Sequence, residues 1–307
     1  MKILLATEKP FAAPAVQEIK KIATDAGHAF VVLDKYTDKA QLIEAAKEAD
    51  GIIIRSDIID EEVMAAAPRL KIVIRAGAGY DNVDLDAATR RGICVMNTPG
   101  QNANAVAELA LSLMVFAARN FFDGTSGTEL KDKSLGIHAY GNVGRNVARI
   151  AKGFGMKVFA FDPFCPAEVI AKDGVIPVAS AEQLYETCHY VSLHIPATAE
   201  TRNSINRALL DRLPAKATLI NTARKEVIDE ADLEQFMADR QDFKYLTDIT
   251  PGNDAALKEK FPKRYFATPK KMGAQTAEAN INAGLAAARQ MVSFFESGDE
   301  KYRVNAK

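Results

Sequence analysis

Tryptophan is absent from this chain of 307 residues, and cysteine and histidine are scarce, at three and four. The cysteines, Cys94, Cys165 and Cys188, have no metal-ligand spacing, and an odd, sparse set suits a reducing compartment. No metal site is expected, and the expected location is the cytoplasm. No apolar run reaches the length that crosses a bilayer. The opening stretch, Met1 to Ala6, is too short for a signal peptide and reads as a first strand. Charge of one sign is missing too. Lys and Arg number 39 against 40 Asp and Glu, so neither a nucleic-acid nor a membrane partner is expected.

What is present centres on residues 135–163. An apolar run from Leu135 to Ala139 precedes a polar and glycine turn, Tyr140-Gly141-Asn142-Val143-Gly144. A helical pattern follows from Arg145 to Gly153, with Val147, Ile150 and Ala151 on one face. A second apolar strand, Lys157 to Phe161, ends in Asp162. Strand, glycine turn, helix, strand and acid is the order of a dinucleotide-binding unit. Gly141 would let the backbone approach a pyrophosphate, and Gly144 would let the helix pack close to the strand. The helix N-terminus supplies unpaired N–H groups and partial positive charge. Asp162 is placed to take the ribose hydroxyls of adenosine. It is followed by Pro163 and Phe164, not by a basic residue, which favours NAD over NADP. The fingerprint's first glycine is Ala139 here. Alanine is expected to be tolerated in a slightly relaxed turn, without a positive φ. The plainer reading of the whole stretch is an ordinary βα turn.

The length accommodates two domains. Residues 1–97 alternate expected strands (2–6, 29–33, 51–54, 72–75, 93–96) with helical patterns (14–26, 38–49, 60–66, 84–91). Residues 102–120 form a long, mostly apolar helix, wide enough to suggest a subunit interface and hence a homodimer. The second domain continues with strands at 189–193, 217–221, 245–249 and 265–268 and helices near 180–187, 204–211 and 229–239. A last helix over 276–296 is long enough to return to the first domain. The fold expected is α/β, with two Rossmann-like, doubly wound parallel sheets and the active site in the cleft between them. The division expected is 1–97 with 278–307 for substrate, and 98–277 for nucleotide.

Polar groups collect at strand ends. In the first domain these are Arg55-Ser56 and the run Arg75-Ala76-Gly77-Ala78-Gly79. The glycines there could expose N–H groups to an anion, although Arg55 and Arg75 also read as solvated loop charges. In the second domain they are His194 to Thr198, Asn221 to Lys225, Asp248 to Pro251, and Thr268 to Gly273. Arg224 stands out, because a guanidinium forks onto a carboxylate and polarises the adjacent carbonyl. His194, in an HxP turn, also reads as architecture only.

Three runs carry a resemblance: Arg75 to Asp84, Ala88 to Pro99, and Asn221 to Glu230. They resemble the D-isomer-specific 2-hydroxyacid dehydrogenases, and most of all the phosphoglycerate branch, over almost the whole chain. The resemblance implies NAD-dependent oxidation of 3-phospho-D-glycerate to 3-phosphohydroxypyruvate, the entry step of L-serine biosynthesis. It also implies the short form of the family, without a serine-sensing domain. The family's catalytic set is Arg, Glu and His. Arg224 stands at the arginine position, and Asp248 where a carboxylate holds the nicotinamide amide. The glutamate position is Asn253, with Asp254 adjacent, and the histidine position is Lys270. A glutamate beside a lysine would raise an already high pKa, so losing the glutamate while gaining a lysine is coherent. A lysine base wants partial desolvation and a nearby cation. Lys271 is the rival for that role.

The implied sets are Arg224 and Lys270 for catalysis, and Arg55, Ser56, Ala76, Gly77, Ala78 and Gly79 for substrate. Lys35 is a second choice for the substrate phosphate. Tyr140, Gly141, Asn142, Val143, Asp162, Pro163, His194, Pro196, Thr198, Thr222, Ala223, Arg224 and Asp248 are the set for cofactor. Two alternatives stand beside this reading. One is a glyoxylate or hydroxypyruvate reductase of the same family. The other is an inactive NAD-sensing binding protein, which the missing Glu and His would suit.

Overall fold

Strands that must be covered on both faces need apolar side chains at every position. The chain supplies five strands before residue 100, four with largely buried runs and one, residues 29–34, mostly exposed at the sheet edge. In the computed structural model, which describes residues 1–306, these are β1 (Lys2–Thr7), β2 (Ala29–Asp34), β3 (Gly51–Ile54), β4 (Ile72–Arg75) and β5 (Cys94–Asn97). Helices α1 (Ala13–Asp25), α2 (Lys39–Ala46), α3 (Glu61–Ala65) and α4 (Leu85–Arg90) connect them. The strands pair in parallel in the order β2-β1-β3-β4-β5. Alternate residues feed two cores. Leu4, Ile52, Ile54, Val73 and Val95 pack on one face, and Ile3, Leu5, Ile53, Ile72 and Ile74 on the other.

The second sheet follows α5 (Ala103–Ala118). Its strands are β6 (Ser134–His138), β7 (Lys157–Phe161), β8 (Ile176–Pro177), β9 (Tyr190–Leu193), β10 (Thr218–Asn221), β11 (Lys244–Thr247) and β12 (Tyr265–Ala267). Between them lie α6 (Asn142–Gly153), α7 (Ala167–Lys172), α8 (Ala181–Thr187), α9 (Arg207–Leu210), α10 (Glu230–Asp239) and α11 (Asp254–Lys260). All neighbours are parallel, in the order β12-β11-β10-β9-β6-β7-β8. The last helix, α12 (Ala277–Ser297), is capped by the Thr276 hydroxyl, ends at Gly298 in the left-handed region, and packs on α1. Its small residues permit this: a Cβ on Gly284 would lie 2.7 Å from Ile19 Cδ1. The tail then stitches the free edge of β5, where Val304 N–H donates to Val95 O and Val95 N–H to Asn305 Oδ1.

The chain thus forms two α/β units, residues 1–102 with 276–307 and residues 103–275, each built on one parallel sheet. Three short elements were not expected: α7, β8 and α11. Each lacks a periodic stripe. Ile170 is the one buried residue of α7 and Leu257 the one of α11, while β8 has two residues and carries Pro177 at the sheet edge. Strand β11 also stops at Thr247, two residues short of the expected end, because the Thr247 hydroxyl accepts from Ile249 N–H and turns the chain.

Two features of the second unit differ from expectation. Helix α6 starts at Asn142, three residues early, so Gly144 lies in its first turn. A Cβ on Gly144 would sit 2.4 Å from the Ala139 carbonyl, which is the close helix–strand approach expected of it. Ala139 itself has φ +79. The relaxed turn is therefore not what forms; the backbone takes the left-handed conformation with a Cβ present, at a cost of roughly 1 kcal/mol.

At the ends of adjacent strands β6 and β9 lie two histidines. His138 is buried between Phe161 and Tyr185, and His194 N–H donates to its carbonyl at 2.9 Å. Burial pushes the His138 imidazole down to about 4. Burial, with the neighbouring His138, pushes His194 down to about 3.

Two outcomes follow for stability. Ala139→Gly relieves the strained turn and should raise the thermal midpoint slightly, with a net gain of at most about 0.5 kcal/mol once the unfolded glycine's freedom is subtracted; a fall would contradict the strain. The histidines' folded pKa values are depressed, so their contribution is present above about pH 6.5 and is lost as pH falls toward about 4 and 3. Between pH 7 and 5 denaturant unfolding should therefore lose about 2 kcal/mol through His138 alone. His138→Gln should flatten that slope, and an unchanged slope would remove His138 as its cause.

Candidate active site

Open parallel sheets leave a crevice where successive connections leave on opposite sides. In the second unit that point is between β6 and β9. A cavity of about 690 Å³ opens there, lined by Ala139, Phe161, Asp162, Pro163, Pro196 and Thr198 among others. Asp162 is fixed by backbone donors: Tyr140 N–H at 2.7 Å on Oδ2 and Phe164 N–H at 2.8 Å on Oδ1. Each carboxylate oxygen keeps acceptor capacity toward the cavity. The other charges in the lining are Glu182, Glu200 and Arg212, and Arg212 is tied to Glu186. A 2'-phosphate would meet three carboxylates and one neutralised arginine.

Beside the cavity, α6 begins at Gly141 with no side-chain cap and no acid in its first turn. The space a Cβ would take at Gly141 is open to 4 Å. Asn142 is exposed and Val143 half-buried beside it, so the N–H groups of the first turn are left for an anion. Ser204, in the cavity lining, keeps a buried hydroxyl without a partner. The Thr222 hydroxyl, past the end of β10, is buried and orphaned in the same way. Cavity, open cradle and orphaned donors fit a dinucleotide.

Two residues of the expected cofactor set face elsewhere. The Tyr140 ring is buried against Arg145, and its hydroxyl donates to Asp173 at 3.1 Å, so only its main chain borders the site. His194 is not in the cavity lining; its ring pairs with the Ser192 hydroxyl at 3.0 Å, in the architectural role first weighed for it.

A second group lies past the ends of β10, β11 and β12, whose registers place Asn221 beside Thr247 and Thr247 beside Ala267. Asn221 shapes the first loop. Its Oδ1 accepts from Ala223 N–H and its Nδ2 donates to the Arg224 carbonyl. The Arg224 guanidinium is exposed, bonds only the Ala223 carbonyl and has no carboxylate partner among the described residues. Asp248 differs from expectation. It is fully buried, and it accepts from the Thr268 hydroxyl at 2.8 Å, Met272 N–H at 2.6 Å and Gly273 N–H at 2.6 Å. In this arrangement it grips the neighbouring loop and is not presented to an amide.

Lys270 and Lys271 are exposed on that loop, so the desolvation expected of a lysine base is not supplied within residues 103–275. Asn253 donates to the Glu230 carbonyl and to Glu234, while Asp254 takes Lys258 and the Tyr265 hydroxyl. Both positions are turned to α10, α11 and Tyr265, with Asn253 Oδ1 buried and without a partner, and neither bonds Lys270.

In the first unit the connection reverses between β1 and β3, and Arg55 and Ser56 follow β3 there. Ser56 is exposed. Arg55 lies over the Phe11 ring, donating to the Lys9 and Pro10 carbonyls and to Asn280 Oδ1. Arg75, from β4, donates through Nε to the Arg55 carbonyl at 3.0 Å. Neither has an ion-pair partner among the described residues. Burial lowers both from the ordinary arginine range, and the Arg55 charge lowers Arg75 further. Asp57 and Asp81 offset part of this charge from beyond ion-pair distance, and two partly desolvated guanidiniums with no ion pair among the described residues favour an anion.

The following turn supports the same chemistry. Gly77 has φ +151, and a Cβ there would lie 1.5 Å from Arg75 Nη1, so glycine is required for the arginine to lie where it does. The N–H groups of Gly77, Ala78 and Gly79 have no acceptor among the described residues and form an anion nest. Ala76 departs from expectation: its N–H donates to the Ile54 carbonyl at 2.8 Å, extending the sheet by one residue, and is not available to substrate. Arg75 is the residue missing from the expected substrate set. Its loop was singled out, but no sequence signal tells a guanidinium folded beside Arg55 from a solvated one.

The comparisons accord with this geometry. A 3-phosphoglycerate dehydrogenase of Entamoeba histolytica, solved with NAD+ bound, is 48% identical with a TM-score of 0.87, over 100% of this chain and 99% of that one. A D-3-phosphoglycerate dehydrogenase of Methanocaldococcus jannaschii is 34% identical over 275 residues, 82% of this chain and 51% of the relative. A hydroxypyruvate reductase of Thermotoga maritima is 33% identical over 83% of this chain and 87% of the relative. The chain spans about half the length of the curated phosphoglycerate dehydrogenases it matches. Residues 4–305 match the family model for the catalytic domain of the D-isomer specific 2-hydroxyacid dehydrogenases, and it is to that family that the chain belongs.

Proposed function

We propose that the chain is an NAD-dependent D-3-phosphoglycerate dehydrogenase, oxidising 3-phospho-D-glycerate to 3-phosphohydroxypyruvate in serine biosynthesis. The observation that carries this reading is the Arg55–Arg75 pair, two partly desolvated arginines whose charges act on each other and which form no ion pair among the described residues. A phosphate supplies the missing charge, whereas an unphosphorylated hydroxy acid leaves it uncompensated. The full-length likeness to the Entamoeba enzyme supports the same substrate. The carboxylates around the cavity, Asp162, Glu182 and Glu200, favour NAD over a 2'-phosphorylated cofactor.

In this reading Asp162 holds the adenosine ribose, the first turn of α6 holds the pyrophosphate, and Pro163, Pro196, Thr198, Thr222 and Ala223 line the remainder. When bound, the nicotinamide ring takes the C2 hydride. Arg224 binds the substrate carboxylate and draws electron density from the carbonyl that forms. Lys270 takes the proton from the C2 hydroxyl in oxidation and returns it in reduction. The scarcity of cysteine supports a reducing compartment, and the location proposed is the cytoplasm.

We also propose a homodimer through the 102–120 region. At the end of α5, Phe116 gathers Phe121, Phe122 and Phe266, and Phe122 remains 67% exposed. Residues 120–122 hold three successive positive φ angles, a strained turn that presents these rings. Sedimentation should give twice the chain mass of 33.3 kDa, and Phe122→Asp should weaken association at least about tenfold. A monomeric wild-type protein would exclude the dimer.

The deciding assay is steady-state turnover of 3-phosphoglycerate with NAD, and of 3-phosphohydroxypyruvate, hydroxypyruvate and glyoxylate with NADH. The phosphorylated pair should be preferred strongly. Arg75→Gln should cost about 30–100-fold in kcat/KM on that pair, as for a lost charge-assisted bond, and less than about fivefold on hydroxypyruvate. Lys270→Ala should lower kcat by about 10²–10⁴. Equal losses on both substrate classes, or turnover of glyoxylate alone, would favour a glyoxylate or hydroxypyruvate reductase. NADH binding without any turnover would leave an NAD-sensing protein.

A further inference from the structure

Six residues, Thr268 to Gly273, leave β12 and return to the same carboxylate. At one end the Thr268 hydroxyl sits 2.8 Å from Asp248 Oδ1 and 2.8 Å from the Lys270 carbonyl, its one proton shared between the two acceptors. At the other end Met272 N–H donates to Oδ1 and Gly273 N–H to Oδ2, each at 2.6 Å. Asp248 has no exposed surface, so a charged group is held in the interior by one hydroxyl and two main-chain amides. The approach is close. A Cβ on Gly273 would lie 2.9 Å from Asp248 Oδ2 and 3.2 Å from Val106 Cγ2. Asp248 is itself held, since its N–H donates to the Asn221 carbonyl and the preceding Thr247 hydroxyl bonds the same carbonyl.

This arrangement closes a loop on a rigid sheet end with the Lys270 main chain inside it. A lysine has a flexible four-carbon stem and no ring to orient, so its ammonium is placed by where its Cα is held. We infer that Asp248 and Thr268 form a clamp that positions the Lys270 backbone, and that in this chain the clamp is Asp248's contribution to catalysis. Asp248 is a positioning residue here, acting through Thr268 and the loop amides. The inference rests on the reading that Lys270 carries the proton. The clamp itself can be measured without turnover.

Thr268→Val removes the hydroxyl at constant size, and Thr268→Ser keeps it. Asp248→Asn keeps the shape but turns an acceptor into a donor facing an N–H group. Three readouts apply to each: tryptic cleavage after Lys270 and Lys271 of the native protein, the pH profile of kcat, and NADH affinity by fluorescence. The expected result for Thr268→Val and Asp248→Asn is cleavage at least about tenfold faster at an unchanged thermal midpoint. The same variants should show kcat lowered about tenfold or more, a displaced limb in the pH profile of kcat, and NADH affinity within about twofold of wild type. Thr268→Ser should restore all of these. Should Asp248→Asn fold less stably, Thr268→Val carries the test alone.

Unchanged cleavage would overturn the clamp. Weakened NADH binding with an unmoved pH profile would overturn the positioning role and return Asp248 to the cofactor amide. Faster cleavage in the variants of a protein that turns over none of the substrates would support the clamp and instead count against the proposed reaction.

Discussion

A parallel sheet covered on both faces has no room for chemistry along its strands. Ile52, Ile53 and Ile54 are all fully buried, as are Leu219, Ile220 and Asn221. The groups that can meet a ligand are therefore carried at or just past the strand ends. Arg55 follows β3, Arg75 ends β4, Asp162 follows β7, Thr222 follows β10, Asp248 follows β11 and Thr268 follows β12. Strand order then decides which of these ends border a crevice. The reversal between β6 and β9 opens the cavity beside Ala139 and Asp162, and the reversal between β1 and β3 leaves Arg55 at an open end.

The charges at these ends are treated in two ways. Asp162 and Asp248 are both satisfied by main-chain donors, Asp162 by two and Asp248 by two with a hydroxyl. Amides neither titrate nor migrate, so they hold a carboxylate in one place without competing for a ligand's cation. Asp57 follows the same rule under Arg55, accepting from Glu8 N–H, the Tyr36 hydroxyl and Arg55 N–H. The cations are left without an ion pair instead, with Asp57 and Asp81 acting on Arg55 and Arg75 only from a distance. Arg55, Arg75 and Arg224 have carbonyl or amide partners and no carboxylate among the described residues. Carbonyl groups fix a guanidinium's direction while leaving its charge for an incoming anion.

Most of this architecture was legible because it is periodic. Continuous apolar runs marked the buried strands, and acid or glycine at their ends marked Asp162, Gly141 and the Arg75 loop. What was misread depends on contacts between distant residues or on geometry finer than residue type. Ala76 looked like part of an anion nest because nothing in the sequence says that pairing with Ile54 runs one residue past β4. The grip of Asp248 on the 268–273 loop is not legible because its three donors lie 20 to 25 residues away in sequence. Ala139 was expected to avoid a positive φ, yet Gly144 presses on its carbonyl and Asp162 takes the next N–H group, so the turn is over-determined and the strain persists.

In the proposed reaction, the exchange of a glutamate–histidine pair for a lone lysine has a structural counterpart. An imidazole acts through one of two ring nitrogens, so a carboxylate partner must set its tautomer and orientation. An ammonium has three equivalent donors and needs no such partner. At the glutamate position Asn253 is free to serve α10 and α11, bonding the Glu230 carbonyl and Glu234. What a lysine loses in exchange is the rigidity of a ring, and that has to come from the main chain. The loop from Thr268 to Gly273 supplies it by closing both ends on Asp248, with the Lys270 carbonyl gripped by the Thr268 hydroxyl. Orientation that a histidine obtains from a neighbouring side chain is obtained here by fixing the backbone beneath the lysine.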